Sequence, residues 1–191
     1  MSNEGKTPLD DLSGLLVPAT NMEELNAFEF ANINKAIQKY LLKTPSDKQA
    51  PFSYPWFFKV HKEMLGEVWS WAGQIRKSNK SIGIDKSQIL EALKNLEHDF
   101  FYWLKTMDPN EIAARLHHRL VWVHPFENGN GRWSRLITNI YFKKNALPLI
   151  HWPEKSLLEK TDTRKKYLQA LREADNQNFE PLIKLHQEFQ K

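Results

Sequence analysis

The sequence predicts an all-α fold carrying one small β-hairpin, and three features of its 191 residues lead there. Apolar residues recur at helical spacing through most of the chain. One short stretch, 73–86, breaks that period and reads as two short extended runs about a polar turn. The composition, 41% hydrophobic with seven Trp and eleven Phe, suits a chain that buries a core rather than one that stays disordered.

Residues 1–20 hold Gly5, Pro8, Gly14 and Pro18 and read as an irregular arm laid on the surface, with 21–191 as a single domain. Thr20 or Asn21 caps a first helix, and Glu23 or Glu24 three residues on completes a capping box. Leu25, Phe28, Ile33, Ile37, Tyr40 and Leu41 follow at helical spacing. After a polar connection from Thr44 to Pro51, a second helix is expected over 54–71, burying Phe57, Val60, His61, Met64, Leu65, Val68 and Trp69. The flap, GQIRKSNKSIGID, places Ile75, Ile82 and Ile84 about Ser78-Asn79-Lys80 and is expected as the hairpin. Helices are then expected over 87–105, 109–123 (stripe Ile112, Leu116, Leu120), 130–144, 154–174 and 178–190.

Several function classes fall away. No run of about 18 apolar residues is present, so no transmembrane helix is expected. The acidic start MSNEGKTPLDD does not read as a secretory signal. Cysteine is absent, which removes disulfides, thiolate metal sites and cysteine nucleophiles and fits a reducing cytoplasm. A net charge of +4 suits an acidic partner. The run Arg164-Lys165-Lys166 reads as a solvated helix face, and no helix-turn-helix with a basic recognition helix is evident, so direct nucleic-acid binding is not expected.

The segment HPFENGNGRWSR, residues 124–135, carries the chemistry. Pro125 disfavours the α region at His124 and so places the imidazole at the mouth of the preceding helix. Phe126 is expected as a wedge into the core. Asn128-Gly129-Asn130-Gly131 permits the turn in which successive N–H groups converge on an anion, and Arg132 then begins the next helix and adds its dipole. Arg132 and Arg135, three apart, share a face beside that nest and can fork onto a di- or triphosphate. His124 is the titratable base at the edge of this cradle, able to take a proton from a hydroxyl near neutral pH.

These residues resemble the signature of the Fic (Fic/Doc) superfamily, H-x-F-x-[D/E]-G-N-G-R-x-x-R. His124, Phe126, Gly129, Asn130, Gly131, Arg132 and Arg135 match it. TPLDDLSGLL, ELNAFEFANI, GEVWSWAGQIRKSNKSIGI and YLQALREAD look most like the subfamily called mobile mystery protein B, associated with mobile elements and encoded near a small helix-turn-helix regulator. The resemblance implies a Fic-type helical bundle with a flap over the site. It implies transfer of AMP from ATP, with Mg²⁺, to a Ser, Thr or Tyr hydroxyl of a target protein, which can include the chain itself. His124 would be the base, Gly129, Asn130 and Gly131 would hold the α- and β-phosphates, and Arg132 and Arg135 the outer ones.

Asn128 departs from the signature. It stands where an acid normally helps hold the metal; its amide oxygen can ligate Mg²⁺ without supplying charge. The alternative reading is therefore a weakly active or non-catalytic nucleotide-binding regulatory module. The family's inhibitory pattern [S/T]-x-x-x-E-[G/N] is met by Thr20 and Glu24 and fails at Leu25, so Glu24 reads as capping. His117 and His118, adjacent on a helix, cannot converge on one ion and read as packing, as does Trp133. Tyr167 resembles a family tyrosine near the nucleotide. Trp69 and Trp71 read as core and flap support.

Overall fold

Asn21 caps the first helix: its side chain accepts the Glu24 N–H at 2.9 Å, and Glu24 Oε2 reaches back to the Thr20 N–H (2.7 Å) and hydroxyl (2.9 Å). The expected capping box is formed, and Glu24 stays on the surface with it. In the computed structural model, which describes residues 12–190, this helix is α1, Met22–Leu41. There follow α2 (Tyr54–Leu65), α3 (Ile89–Thr106, entered by a 3₁₀ turn at Lys86–Gln88), α4 (Pro109–Val123), α5 (Asn130–Lys144), α6 (Glu154–Leu158), α7 (Asp162–Asp175) and α8 (Glu180–Glu188).

The α5 helix is the centre of the bundle. Its Trp133, Ile137, Ile140, Tyr141 and Phe142 are all but completely buried, and α1, α2 and α4 pack around it. Each such side chain removed from water contributes about 1.5–3 kcal/mol. A smaller apolar cluster joins Ala114 of α4 to Tyr167, Ala174, Leu182 and Leu185 of α7 and α8. The segment 124–129 thus leads into a deeply buried helix.

Two expected helices are interrupted. The helix expected over 54–71 ends at Leu65, where Val68 and Trp69 N–H groups both turn back to the Leu65 carbonyl (3.0 and 2.8 Å). The arm competes for this stretch: Leu16 N–H bonds Val68 O and Ser70 N–H bonds Gly14 O, both at 2.8 Å, with a β-bridge between Leu15 and Trp69. This pairing takes the Val68 carbonyl and the Ser70 N–H out of the helical ladder, and the helix gives way to turns. Residues 1–11 of the expected arm lie outside the described residues. The helix expected over 154–174 divides into α6 and α7 because Thr161 N-caps α7, accepting the Arg164 N–H at 3.2 Å.

The stretch 73–86 does not pair as strands; among the described residues it is an irregular loop. The Ser78 and Ile84 carbonyls both accept from the Arg76 guanidinium. No described helix is long and apolar enough to cross a membrane.

Candidate active site

The loop between α4 and α5 is built by its own side chains. His124 closes α4 in the left-handed region (φ 49°, ψ 57°), which costs a non-glycine residue roughly 1–2 kcal/mol. Pro125 excludes the ordinary helical alternative. Phe126 is fully buried as expected, stacked on His61 at 3.6 Å and meeting Trp133 edge-on at 4.9 Å. Gly129 caps α5 with φ +79°, and a Cβ there would lie 2.6 Å from Leu65 Cδ1. Conformation and space therefore both require glycine.

The α5 helix opens at Asn130, as the expected span 130–144 has it, with Arg132 in its first turn. Its first intrahelical bond is Trp133 N–H to Gly129 O, 2.9 Å. The N–H groups of Asn130, Gly131 and Arg132 precede that bond and face outward at the positive end of the helix. The Asn130 side chain plays a different part: Oδ1 accepts the Phe126 N–H and Nδ2 donates to the Phe126 carbonyl, both 2.9 Å, so it staples the loop and only its backbone serves the cradle.

His61, read in the sequence only as a core residue, proves to hold this loop from below. The Gly73 N–H donates to Nδ1 (2.9 Å), so the proton lies on Nε2, which donates to the Asn128 carbonyl (2.9 Å). Burial first, and then the Arg132 charge against the pull of the Asn128 carbonyl, brings its pKa down to about 3. It is a neutral hydrogen-bonding strut at physiological pH.

The two cradle arginines each have a carboxylate partner that the sequence did not disclose. Arg132 Nη1 donates to Glu29 Oε2 at 2.6 Å, while Trp69 Nε1 donates to Glu29 Oε1 at 2.7 Å. Arg135, 5% exposed, forks onto Glu154 through Nε (2.9 Å) and Nη2. Burial works against the charge of Arg135, and Glu154 more than offsets it. Trp152 and Tyr167 flank the Arg135 guanidinium. A polyphosphate entering here meets guanidinium groups already oriented, with donors shared between carboxylate and phosphate.

His124, the α5 N-terminus and both arginines line one groove of about 890 Å³. Five arginines and two lysines border it against two carboxylates, Glu127 and Asp175, a field that favours polyphosphate. Burial, and then the charge of Arg76, depress the His124 pKa to about 4, with Lys80 acting the same way and a hydrogen bond to the Val121 backbone opposing. The imidazole is thus unprotonated at neutral pH, as a proton acceptor must be.

The oxygens around Asn128 do not by themselves build a metal site. Asn128 Oδ1 accepts the Gly129 N–H at 2.7 Å, Glu127 is paired with Lys80, and no group of three or more His, Asp or Glu side chains is placed to hold an ion among the described residues.

The remaining residues fall where packing places them. His117 bonds His186 and Tyr167, both at 3.0 Å, and His118 bonds Asp175 at 2.8 Å. Trp133 Nε1 donates to Phe57 O at 3.0 Å. Trp69 is buried and Trp71 stacks on it at 5.0 Å beside the groove. Lys165 and Lys166 are exposed on α7.

The helical bundle sets a neutral imidazole beside a helix N-terminus and two arginines, an arrangement that can accept a nucleotide's phosphates. Residues 51–142 match the family model described as the Fic/DOC family. The chain is 28% identical over 182 residues to protein adenylyltransferase fic-1 of Caenorhabditis elegans, covering 90% of this chain and 33% of that protein. It is 26% identical over 176 residues to protein adenylyltransferase Fic of Nematostella vectensis, covering 89% and 39%. The chain therefore spans about a third of the length of these relatives. Among solved structures, Fic-1 (aa134 - 508) from C. elegans superposes with a TM-score of 0.71 at 25% identity, covering 93% of this chain and 52% of that one. The N-terminal Fic domain of a Bartonella quintana effector with bound ADP shares the fold, with a TM-score of 0.67 at 22% identity, covering 92% and 88%.

Proposed function

We propose that this chain transfers AMP from ATP to a Ser, Thr or Tyr hydroxyl of a protein. The observation that carries this reading is the position of His124, with a free nitrogen lone pair, at the edge of the groove formed by the α5 N-terminus, Arg132 and Arg135. The adenylyltransferase relatives support it. His124 takes the hydroxyl proton as the oxygen bonds to the α-phosphorus. The α–β bridging bond breaks, and pyrophosphate leaves with the electron pair. The backbone of Gly129, Asn130 and Gly131 holds the α- and β-phosphates, and Arg132 and Arg135 the outer charge; rate enhancement comes from positioning and electrostatics. Magnesium ion would arrive with the nucleotide, with Asn128 Oδ1 as its one candidate protein ligand.

The second reading is a nucleotide-binding regulatory module with little transfer; it rests on Asn128 standing where the signature has an acid, and the adenylyltransferase relatives do not favour it. A cytoplasmic setting, a mobile-element origin and a small helix-turn-helix regulator as partner belong to the proposal and rest on the sequence alone. The test incubates the chain with Mg²⁺, cell lysate and ATP labelled at the α- or γ-phosphate. Protein label from α alone, lost in His124→Ala, is expected. Label from γ alone overturns the proposal in favour of a kinase. ATP binding without transfer favours the regulatory module.

A further inference from the structure

We propose that Arg76 is a positioning residue for the transfer reaction, keying the flap to the backbone of the base so that the two move as one unit. The inference rests on the adenylyl-transfer reading of the site.

Arg76 is 3% exposed, and among the described residues no carboxylate lies within ion-pair distance of it. A buried guanidinium is ordinarily neutralised by an acid. Here Glu127 and Asp85 act only from beyond ion-pair distance, and apart from a long bond to Asn79 Oδ1 (3.4 Å) the guanidinium bonds backbone carbonyls from two separate segments. Nε donates to the His124 carbonyl (2.8 Å), Nη1 to the Ser78 carbonyl (2.8 Å) and Nη2 to the Ile84 carbonyl. The Arg76 N–H adds a bond to the Pro125 carbonyl at 2.9 Å. One residue therefore grips both ends of the flap and both peptide groups at the turn that presents the imidazole.

The geometry gives these bonds a purpose. His124 sits in the left-handed region, a conformation that persists only where surrounding contacts over-determine it. Arg76 supplies two such contacts. Gly83, itself at φ +92°, passes so close that a Cβ there would lie 2.5 Å from His124 Cβ and 3.3 Å from Arg76 Nη2. The flap thus rests against the base by bare backbone, and its height above the groove is set by the guanidinium beneath it. The Ser78 and Ile84 carbonyls, six residues apart, are thus held to one guanidinium. Lys80, paired with Glu127, ties the flap tip to the phosphate loop. The charged groups facing His124 are Arg76 and Lys80 from the flap side and Glu127 from its own loop.

The test compares Arg76→Lys and Arg76→Gln in the full chain. Lysine keeps the charge but has no planar fork to span three carbonyls; glutamine removes the charge as well. Three quantities are read: hydrogen exchange of amides 78–84, the NMR titration of the His124 ring, and protein label from α-labelled ATP, beside calorimetric binding of α,β-methylene-ATP. For Arg76→Lys, flap exchange is expected to rise at least tenfold and transfer to fall at least tenfold, with nucleotide affinity within about twofold of wild type and the His124 titration little changed. In Arg76→Gln the His124 titration additionally moves toward the ordinary imidazole range. Wild-type transfer and flap protection in Arg76→Lys would overturn the proposal, as would a loss of transfer wholly explained by weaker nucleotide binding. If wild type transfers no label, the adenylyl-transfer reading fails, while exchange and titration still decide whether Arg76 couples flap and base. A failure of Arg76→Gln to fold leaves Arg76→Lys to carry the test.

Discussion

Replacing His61 by Asn or by Gln separates two bonds that a single imidazole now makes. The amide of Asn reaches the place of Nδ1 and can still accept the Gly73 N–H, but it abandons the Asn128 carbonyl. The amide nitrogen of Gln reaches the place of Nε2 and can still donate to Asn128, but it abandons Gly73. Each native bond is 2.9 Å long and His61 is fully buried. Leaving one partner unsatisfied costs about 1–3 kcal/mol. Both variants should therefore lose a similar amount of stability, about 2 kcal/mol, or roughly 4–8 °C in Tm for a chain of this size. Nucleotide affinity should divide them. Asn128 precedes Gly129 and the open N–H groups of α5, so releasing its carbonyl lets the cradle relax; a loss of about 1.4 kcal/mol in binding is tenfold in Kd. Calorimetric titration with α,β-methylene-ATP should show about tenfold weakening in His61→Asn and little change in His61→Gln. Equal affinities in the two variants would refute the view that His61 sets the phosphate loop from below.

Three further outcomes follow from the geometry. His61, His117 and His186 are buried, and burial holds the pKa of each well below 6.5. Below pH 6.5 the unfolded chain binds protons that the folded chain refuses, so stability falls as the pH drops toward 5. Urea midpoints at pH 7 and pH 5 should differ clearly; coincident midpoints would contradict this. Glu154→Gln removes the carboxylate that Arg135 now shares. It should destabilise the nucleotide-free chain while tightening ATP binding several-fold by calorimetry, and unchanged affinity would mean that Arg135 does not meet phosphate. Gly129→Ala should lower Tm by about 2–8 °C, from roughly 1–2 kcal/mol of left-handed strain, before any clash with Leu65 is counted. Gly131→Ala, whose Cβ would meet only the flexible end of Arg135 at 3.1 Å, should melt nearer wild type; equal losses would show that φ at 129 is not the cause.

Local chemistry made much of this protein legible in its sequence. The period of the apolar residues marked the helices, and α4 runs over the residues that period indicates because Asp108, Pro109 and Pro125 punctuate it within the chain itself. The motif at 124–135 was legible for the same reason: proline, paired glycines and spaced arginines act on their immediate neighbours. Tertiary structure decided the rest. The helix expected over 54–71 stops at Leu65 because the distant arm pairs with residues 68–70, and the hairpin is replaced by carbonyls gathered around Arg76. Glu29 lies 103 positions before Arg132 and His61 lies 67 before Asn128. No periodicity or spacing encodes such meetings. The sequence by itself determined that His124, a glycine-rich turn and two arginines would meet at the start of α5. Only packing determined which carboxylates hold its arginines, which histidine supports its loop, and how the flap is tied to His124, because each depends on side chains brought together by the burial of separate helices.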